Sequence, residues 1–242
     1  MTPPLTRRVL EPRPGLSVTA REAGDGPAAL VLHGGAGPDS VTPIVDHLAA
    51  GHRVLAPTHP GWDGTPRPDW FSGIGELAAT YLDVLEESGM DEVTVIGSSF
   101  GGWVAAELAV RDRGTRIARL VLIGAPGPEI PGLSITMPGQ GGPPPGRGPS
   151  PEAMATLRAY TGPVMADPEL GPRLADVRVP ALLLWGEDDV VVPPDFGRAY
   201  TELFADARFE LIPGGGHLPY RDVPDATFAA LDRFLVSGRA VP

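Results

Sequence analysis

The feature that most constrains the fold is a repeated alternation of short apolar runs and helical patterns. Several of the runs are continuously aliphatic and end at glycine or proline, which is typical of strands buried on both faces of a parallel sheet. The runs occupy residues 16–22, 28–34, 52–59, 92–98, 118–125, 180–187 and 207–214. Amphipathic helical patterns occupy residues 74–88, 100–112 and 225–237. The alternation predicts an α/β fold, with a mostly parallel central sheet, right-handed crossovers and helices on both faces.

A long connection interrupts this alternation between the fifth and sixth apolar runs. It contains residues 138–151, which are almost entirely glycine and proline, followed by a short amphipathic pattern at 152–162. A connection of this length in a compact domain is usually either a disordered surface insertion or a functional lid. We predict a lid helix at 152–162 with a mobile hinge before it. The expected domains are a core at 1–126 and 176–242 and a short Gly/Pro-rich cap insertion at 127–175.

Composition and charge narrow the classes of function. The chain has 242 residues, of which 42% are hydrophobic, as in soluble globular proteins. The net charge of −11 argues against nucleic acid or an anionic membrane as a partner. The absence of cysteine excludes disulfides, thiolate metal sites and a cysteine nucleophile. Because no apolar segment follows Arg7 and Arg8, no secretory signal is expected, and we predict a cytoplasmic monomer or homodimer that acts on a small molecule.

The sequence GSSFG at residues 97–101 fits the pattern G-x-S-x-G, directly after an apolar run and before a helical pattern. A serine in this pattern lies on a strained strand-to-helix turn, where larger flanking side chains would collide. The amino end of the following helix favours negative charge that develops beside it. In a chain with 32 glycines the pattern also arises by chance, so an ordinary glycine-rich turn is the alternative. The register selects Ser99, rather than Ser98, as the candidate nucleophile.

A serine hydroxyl needs a general base within hydrogen-bond reach before it can act as a nucleophile. Of the five histidines, His47 lies in a helical pattern and His52 at the start of a strand. His33 and His59 lie in loops after strands, where they could line a site. The last one lies on a glycine-rich loop after the final strand, which fits the chain order serine, acid, histidine. We therefore predict His217 as the base.

The base in turn needs an acid that fixes its tautomer and stabilises the imidazolium ion. Three acidic residues, Glu187, Asp188 and Asp189, follow a buried strand run directly. Two of them are expected to belong to a solvated acidic turn. Its spacing from Gly186 favours Asp189 as the acid, with Glu129 as a distant alternative.

The sequence HGGAG at residues 33–37 follows another strand run and can present backbone N–H groups to a developing oxyanion. Each such donor contributes about 3–4 kcal/mol to lowering the barrier. We predict the N–H groups of Gly35 and Phe100 as the two donors. A phosphate-binding loop is the alternative, but the lysine and the glycine array of nucleotide-binding loops are absent. Substrate contacts are expected at Gly34, Trp62, Ser98 and Trp103.

Taken together, these motifs resemble the α/β-hydrolase superfamily from about residue 16 to about residue 237. HGGAG resembles its oxyanion motif, HPGWDGTPRP its strand-four loop and GSSFGG its nucleophile elbow, while WGEDDVVVP and GGGHLPYRDVP resemble its acid and histidine loops. The resemblance implies a triad of Ser99, Asp189 and His217, oxyanion donors at Gly35 and Phe100, no cofactor and no metal. The chain differs from the family's usual pattern in its short Gly/Pro-rich cap.

Serine at the elbow argues against the haloalkane dehalogenase and epoxide hydrolase branches, which carry aspartate there. The chain is more similar to small esterases, lactonases and C–C bond hydrolases. The expected activity is hydrolysis of a small-to-medium carboxyl ester, lactone, thioester or activated C–C bond through an acyl-enzyme. The alternatives are a cyclase or lyase that uses the same pocket and a non-enzymatic ligand receptor. Aromatic residues suggest an uncharged substrate: Trp62, Trp70, Phe71 and Trp103.

Overall fold

An eight-stranded sheet forms the centre of the protein, with a separate two-stranded pair beside it. The computed structural model describes residues 5–71, 73–112, 116–136 and 149–237. The strands are β1 (Thr6–Arg13), β2 (Leu16–Ala23), β3 (Ala28–Leu32), β4 (Arg53–Pro57), β5 (Val93–Ser98), β6 (Ile117–Ile123), β7 (Gly127–Pro128), β8 (Ala166–Asp167), β9 (Ala181–Gly186) and β10 (Ala207–Ile212). Every strand predicted from the apolar runs is present.

The sheet is mostly parallel, as predicted. Its strand order is β1-β2-β4-β3-β5-β6-β9-β10, in which only β2 runs antiparallel to both of its neighbours. The edge strand β1 was not predicted, because its sequence TRRVLEPR is polar and only Leu10 of its side chains is buried. It forms through a hairpin with β2 that turns at Gly15, where φ is +76°.

Helices cover both faces of the sheet, as the predicted α/β fold requires. The first face packs against α2, α3 and α6, and the second against α1, α7 and α8. Neighbouring residues of β5 separate accordingly, with Val95 in one core and Ile96 in the other. The helices are α1 (Thr42–Leu48), α2 (Ile74–Glu87), α3 (Phe100–Asp112), α4 (Pro151–Thr161), α5 (Leu170–Leu174), α6 (Pro194–Thr201), α7 (Pro219–Asp222) and α8 (Pro224–Val236). None of these helices has the length and apolar character needed to cross a bilayer.

The segment between β6 and β9 carries α4, the helix predicted as a lid. Ser150 caps it by accepting a hydrogen bond from the N–H of Ala153 at 3.1 Å. The Thr156 hydroxyl donates to the Gly61 carbonyl at 3.2 Å, so α4 is held against the loop after β4. Of the predicted hinge at 138–151, residues 138–148 lie outside the described part of the chain.

Candidate active site

Ser99 lies between the end of β5 and the start of α3, in the strained turn that the sequence predicts. Its φ is +53°, a left-handed conformation that residues other than glycine rarely adopt. The neighbouring glycines are required sterically, because a Cβ on Gly97 would collide with the Gly101 backbone and one on Gly101 with the Leu32 carbonyl. The Ser99 N–H donates to the Ile123 carbonyl at 2.8 Å, which ties the turn to β6.

The structure brings Ser99, His217 and Asp189 into one hydrogen-bonded chain. His217 Nδ1 lies 2.9 Å from Asp189 Oδ2, and its Nε2 lies 2.9 Å from Ser99 Oγ. An ionised carboxylate only accepts hydrogen bonds, so the ring proton belongs on Nδ1 and Nε2 is left to accept from the serine hydroxyl. This is the arrangement in which an imidazole can remove a proton from a nucleophilic serine.

The carboxylate of Asp189 is buried but has partners on both oxygens. Its side chain is 0% exposed. Oδ1 accepts hydrogen bonds from the N–H groups of Val191 at 2.8 Å and Val192 at 2.9 Å, while Oδ2 faces His217. Both oxygens of this carboxylate, which solvent does not reach, thus have hydrogen-bond partners. The other two acidic residues of the turn, Glu187 and Asp188, are exposed.

Close contacts between loops fix the position of the imidazole. The loops after β9 and β10 are in close contact. A Cβ on Gly186 would collide with the carbonyl of Gly216. Gly124, at the end of β6, has a φ of +54°, and a Cβ there would lie 3.2 Å from His217 Nδ1 and 3.3 Å from Asp189 Oδ2. Sequence analysis did not identify Gly124, although a glycine directly after a buried strand was the available signal.

The HGGAG loop lies directly beside the serine. A Cβ on Gly34 would lie 2.9 Å from Ser99 Cβ. The carbonyls of Gly34 and Gly35 are both engaged within the protein, by the Gly37 N–H at 3.1 Å and by the Trp62 indole N–H at 3.0 Å respectively. Within the described residues, no hydrogen bond uses the N–H of Gly35 or of Phe100. Neither of the two predicted donors is thus taken up by another group of the described residues.

His33, the first residue of this loop, and His59, after β4, are both fully buried. Their ring centroids are 3.9 Å apart. Burial lowers the pKa of His33 well below its ordinary value, and burial lowers the pKa of His59 to about 3. Both rings are therefore neutral near pH 7, and neither lines an open site as sequence analysis allowed. His47, by contrast, is half-buried at the surface and pairs with Asp232 at 2.8 Å.

The side chains of Trp62, Ser98 and Trp103, which are predicted to contact the substrate, all have partners within the protein. Trp62 is 2% exposed and stacks between the rings of Phe100 and Tyr160. The Ser98 hydroxyl is buried 2.9 Å from the Tyr220 hydroxyl. Trp103 is 4% exposed and packs against the backbone at residue 127. Gly34, the fourth predicted contact, lies directly beside the Ser99 side chain.

An aliphatic side chain from α4 lies over the predicted oxyanion donor. A Cβ on Gly35 would lie 3.1 Å from Leu157 Cδ2 and 3.4 Å from Pro149 Cγ. Sequence analysis identified the amphipathic helix but not which of its residues would reach the loop. Among the residues that the structure describes, no group of three or more acidic or histidine side chains is placed to hold a metal ion.

Known proteins share this architecture. The model of a family described as "Alpha/beta hydrolase family" matches residues 29–231. The chain is 26% identical to 2-hydroxy-6-oxononadienedioate/2-hydroxy-6-oxononatrienedioate hydrolase 1 of Dechloromonas aromatica, with 87% of each chain covered. It is 39% identical to the pimeloyl-(acyl-carrier protein) methyl ester esterase of Aromatoleum aromaticum, over 40% of this chain and 37% of that enzyme.

A solved structure shows the same fold over nearly the whole chain. It is that of a serine hydrolase involved in carbazole degradation, the CarC enzyme, with a TM-score of 0.79. The sequences are 22% identical, and the alignment covers 98% of this chain and 100% of the other.

Proposed function

This chain belongs to the alpha/beta hydrolase family, and we propose that it is a serine hydrolase whose nucleophile is Ser99, with His217 as general base and Asp189 as the orienting acid. The observation that carries the proposal is the unbroken chain of two 2.9 Å contacts from Ser99 Oγ through the imidazole to Asp189. The neutral tautomer that Asp189 selects is the one that accepts the serine proton.

In the proposed reaction, Ser99 Oγ attacks the carbonyl carbon of the substrate while His217 Nε2 takes the hydroxyl proton. The N–H groups of Gly35 and Phe100 stabilise the resulting oxyanion. The tetrahedral intermediate then expels the leaving group, which receives the proton from the imidazolium, and an acyl group remains on Ser99. Water, deprotonated by His217, attacks this acyl-enzyme. The second tetrahedral intermediate then releases the carboxylic acid, while the imidazolium returns the proton to Ser99 Oγ.

The substrate class that fits best is a small-to-medium carboxyl ester, lactone or thioester with an apolar acyl group. Leu157 and Pro149 support this assignment, because they place aliphatic carbon atoms directly over the Gly35 backbone. An activated C–C bond next to a carbonyl is the second candidate. The similarity to the hydrolase of Dechloromonas aromatica over 87% of the chain favours it, since that protein is named for a 2-hydroxy-6-oxo acid substrate.

Hydrolysis of p-nitrophenyl acetate and butyrate tests the proposal. We expect the wild-type protein to turn over these esters, and Ser99→Ala and His217→Ala each to lower kcat by about 10⁴–10⁶-fold, because the members of such a triad act as a unit. Ser88→Ala is the control, since its hydroxyl is buried at the end of α2 without a partner among the described residues. This variant should keep wild-type kcat.

Mass spectrometry of the intact protein after mixing with a panel of esters and lactones should show an acyl adduct on Ser99. Full turnover of a substrate by Ser99→Ala, with loss in His217→Ala, would replace the hydrolase by a cyclase or lyase that uses the same site. Labelling of Ser99 by a fluorophosphonate without turnover of any ester would indicate a ligand receptor instead.

A further inference from the structure

The orientation of the Gly34–Gly35 peptide decides whether the Gly35 N–H can reach an oxyanion beside Ser99. In a planar trans peptide, the carbonyl of one residue and the N–H of the next point in opposite directions. Whatever binds the Gly34 carbonyl therefore also aims the Gly35 N–H. His33 Nδ1 lies 2.8 Å from this carbonyl, and the Gly37 N–H donates to it at 3.1 Å.

The protonation of the His33 ring is fixed by its other nitrogen. His33 Nε2 lies 3.0 Å from the backbone N–H of His59, which can only donate. Nε2 must therefore be the acceptor, and the single proton of the neutral ring belongs on Nδ1, from which it is donated to the Gly34 carbonyl.

The second ring of the pair holds the first in place. His59 Nε2 donates to the His33 carbonyl at 2.9 Å, and its Nδ1 accepts from the Tyr81 hydroxyl. Each nitrogen of both rings thus has one partner, although both rings are fully buried. A network with every member satisfied in a region without water holds its members in one arrangement.

We propose that His33 is a positioning residue that aims the Gly35 N–H at the oxyanion, and that the His59 backbone sets its tautomer. The inference rests on the proposed function, and it assigns His33 no contact with the substrate. The oxyanion forms in the transition state, so a misaimed donor lowers kcat and changes KM little.

Two substitutions at residue 33 separate positioning from simple packing. His33→Asn retains an N–H donor near the position of Nδ1, so it can still bind the Gly34 carbonyl. His33→Gln retains a polar group near the position of Nε2, which faces His59, but loses the bond to Gly34. Asparagine is the smaller residue and leaves the larger cavity, so packing alone would make His33→Asn the more damaged variant.

Steady-state hydrolysis of p-nitrophenyl butyrate, normalised to folded protein, gives the first readout. We expect kcat of His33→Gln to fall about 10²-fold with KM within about twofold of wild type, as for loss of one oxyanion donor. His33→Asn should stay within about tenfold of wild-type kcat while its Tm lies below that of His33→Gln. Equal kcat for the two variants, or losses that follow Tm, would overturn the inference.

Crystal structures of both variants give a second readout that needs no turnover. The Gly34 carbonyl should keep its wild-type direction in His33→Asn. In His33→Gln it should point in a different direction. An unchanged Gly34–Gly35 peptide in His33→Gln would overturn the positioning role. If the wild-type protein hydrolyses no ester, the proposed function fails, and this comparison still decides whether His33 orients the loop.

Discussion

The ring of His217 lies between a serine and an aspartate, whereas the ring of His33 lies between backbone groups and a second imidazole. The His217 side chain is 20% exposed, and its nitrogens contact a serine hydroxyl that can give it a proton and a carboxylate that can stabilise the resulting imidazolium ion. His33 is fully buried, and its nitrogens contact the backbone of Gly34 and His59. Both histidines follow a strand of the same sheet. Partners and solvent access therefore decide whether an imidazole can do acid–base chemistry.

The two imidazoles also differ in the charge of the group beside them. Asp189 supplies an anion that can stabilise a protonated His217, and this anion is itself held by two backbone N–H groups. In the second pair, the neighbour of His33 is the neutral His59 ring, and burial lowers the pKa of both. One pair is thus built to gain and lose a proton, and the other to remain neutral and hold a loop.

The largest expected loss of activity is that of Asp189→Asn, which removes the acid beside His217. An amide can donate to His217 Nδ1, which would move the ring proton to Nε2 and leave no acceptor for the Ser99 hydroxyl. We expect kcat/KM for p-nitrophenyl butyrate to fall by about 10³–10⁴-fold. Asp188→Asn is the matched control, because its side chain is exposed and lies one residue away. Equal activity of the two variants would remove Asp189 from the proposed mechanism.

Sequence analysis placed Ser99, Asp189 and His217 because strand ends and chain order determine where they lie. The carboxyl ends of parallel strands meet at one edge of a sheet, so residues that follow them are brought together whatever the loops do. Apolar runs and amphipathic patterns predicted the strands of the parallel sheet and the helices α2, α3, α4 and α8. It missed β1 because pairing with β2, rather than an apolar pattern, makes that segment a strand.

Side-chain contacts between residues far apart in the chain did not follow from the sequence. Ser98 was expected to contact the substrate, but it pairs with Tyr220, 122 residues further along the chain. The Tyr81 hydroxyl that binds His59 comes from a helix on another part of the chain. Such contacts depend on how distant loops and helices pack, and no local pattern in one sequence records them.

The buried, neutral His59 should make the folded protein less stable as the pH falls, which tests whether this ring stays uncharged in the fold. Its pKa is about 3 in the folded protein and near 6.5 when unfolded. The unfolded chain therefore binds a proton below pH 6.5 that the folded protein does not, and stability is lost as the pH falls from 6.5 towards 3. Each such group costs about 1.4 kcal/mol per pH unit, or roughly 3 kcal/mol between pH 6.5 and 4.5.

Urea unfolding of the wild type and His59→Gln at pH 7 and pH 4.5 measures this effect. Carboxylates lose stability in both proteins over the same range, so the informative quantity is the difference between the two slopes. His59→Gln should be less stable at pH 7 but lose less free energy of unfolding on acidification. Parallel losses in the two proteins would show that His59 is protonated in the fold or already exposed.

The smallest expected effect tests how tightly His217 is held. Gly124→Ala adds a Cβ that would lie 2.9 Å from the His217 carbonyl and 3.2 Å from its Nδ1, at a φ of +54°. We expect kcat to fall about tenfold, because the imidazole must shift relative to Ser99 and Asp189. Gly132→Ala is the control: its φ is +78°, but a Cβ there meets no atom of the described residues within 4 Å. Both variants carry the backbone strain of a left-handed alanine, about 1 kcal/mol. Thermal unfolding should show similar losses of stability in the two variants. If kcat also falls equally in both, backbone strain rather than contact with the imidazole lowers the rate. The close packing around His217 would then not be what distinguishes this ring from that of His33.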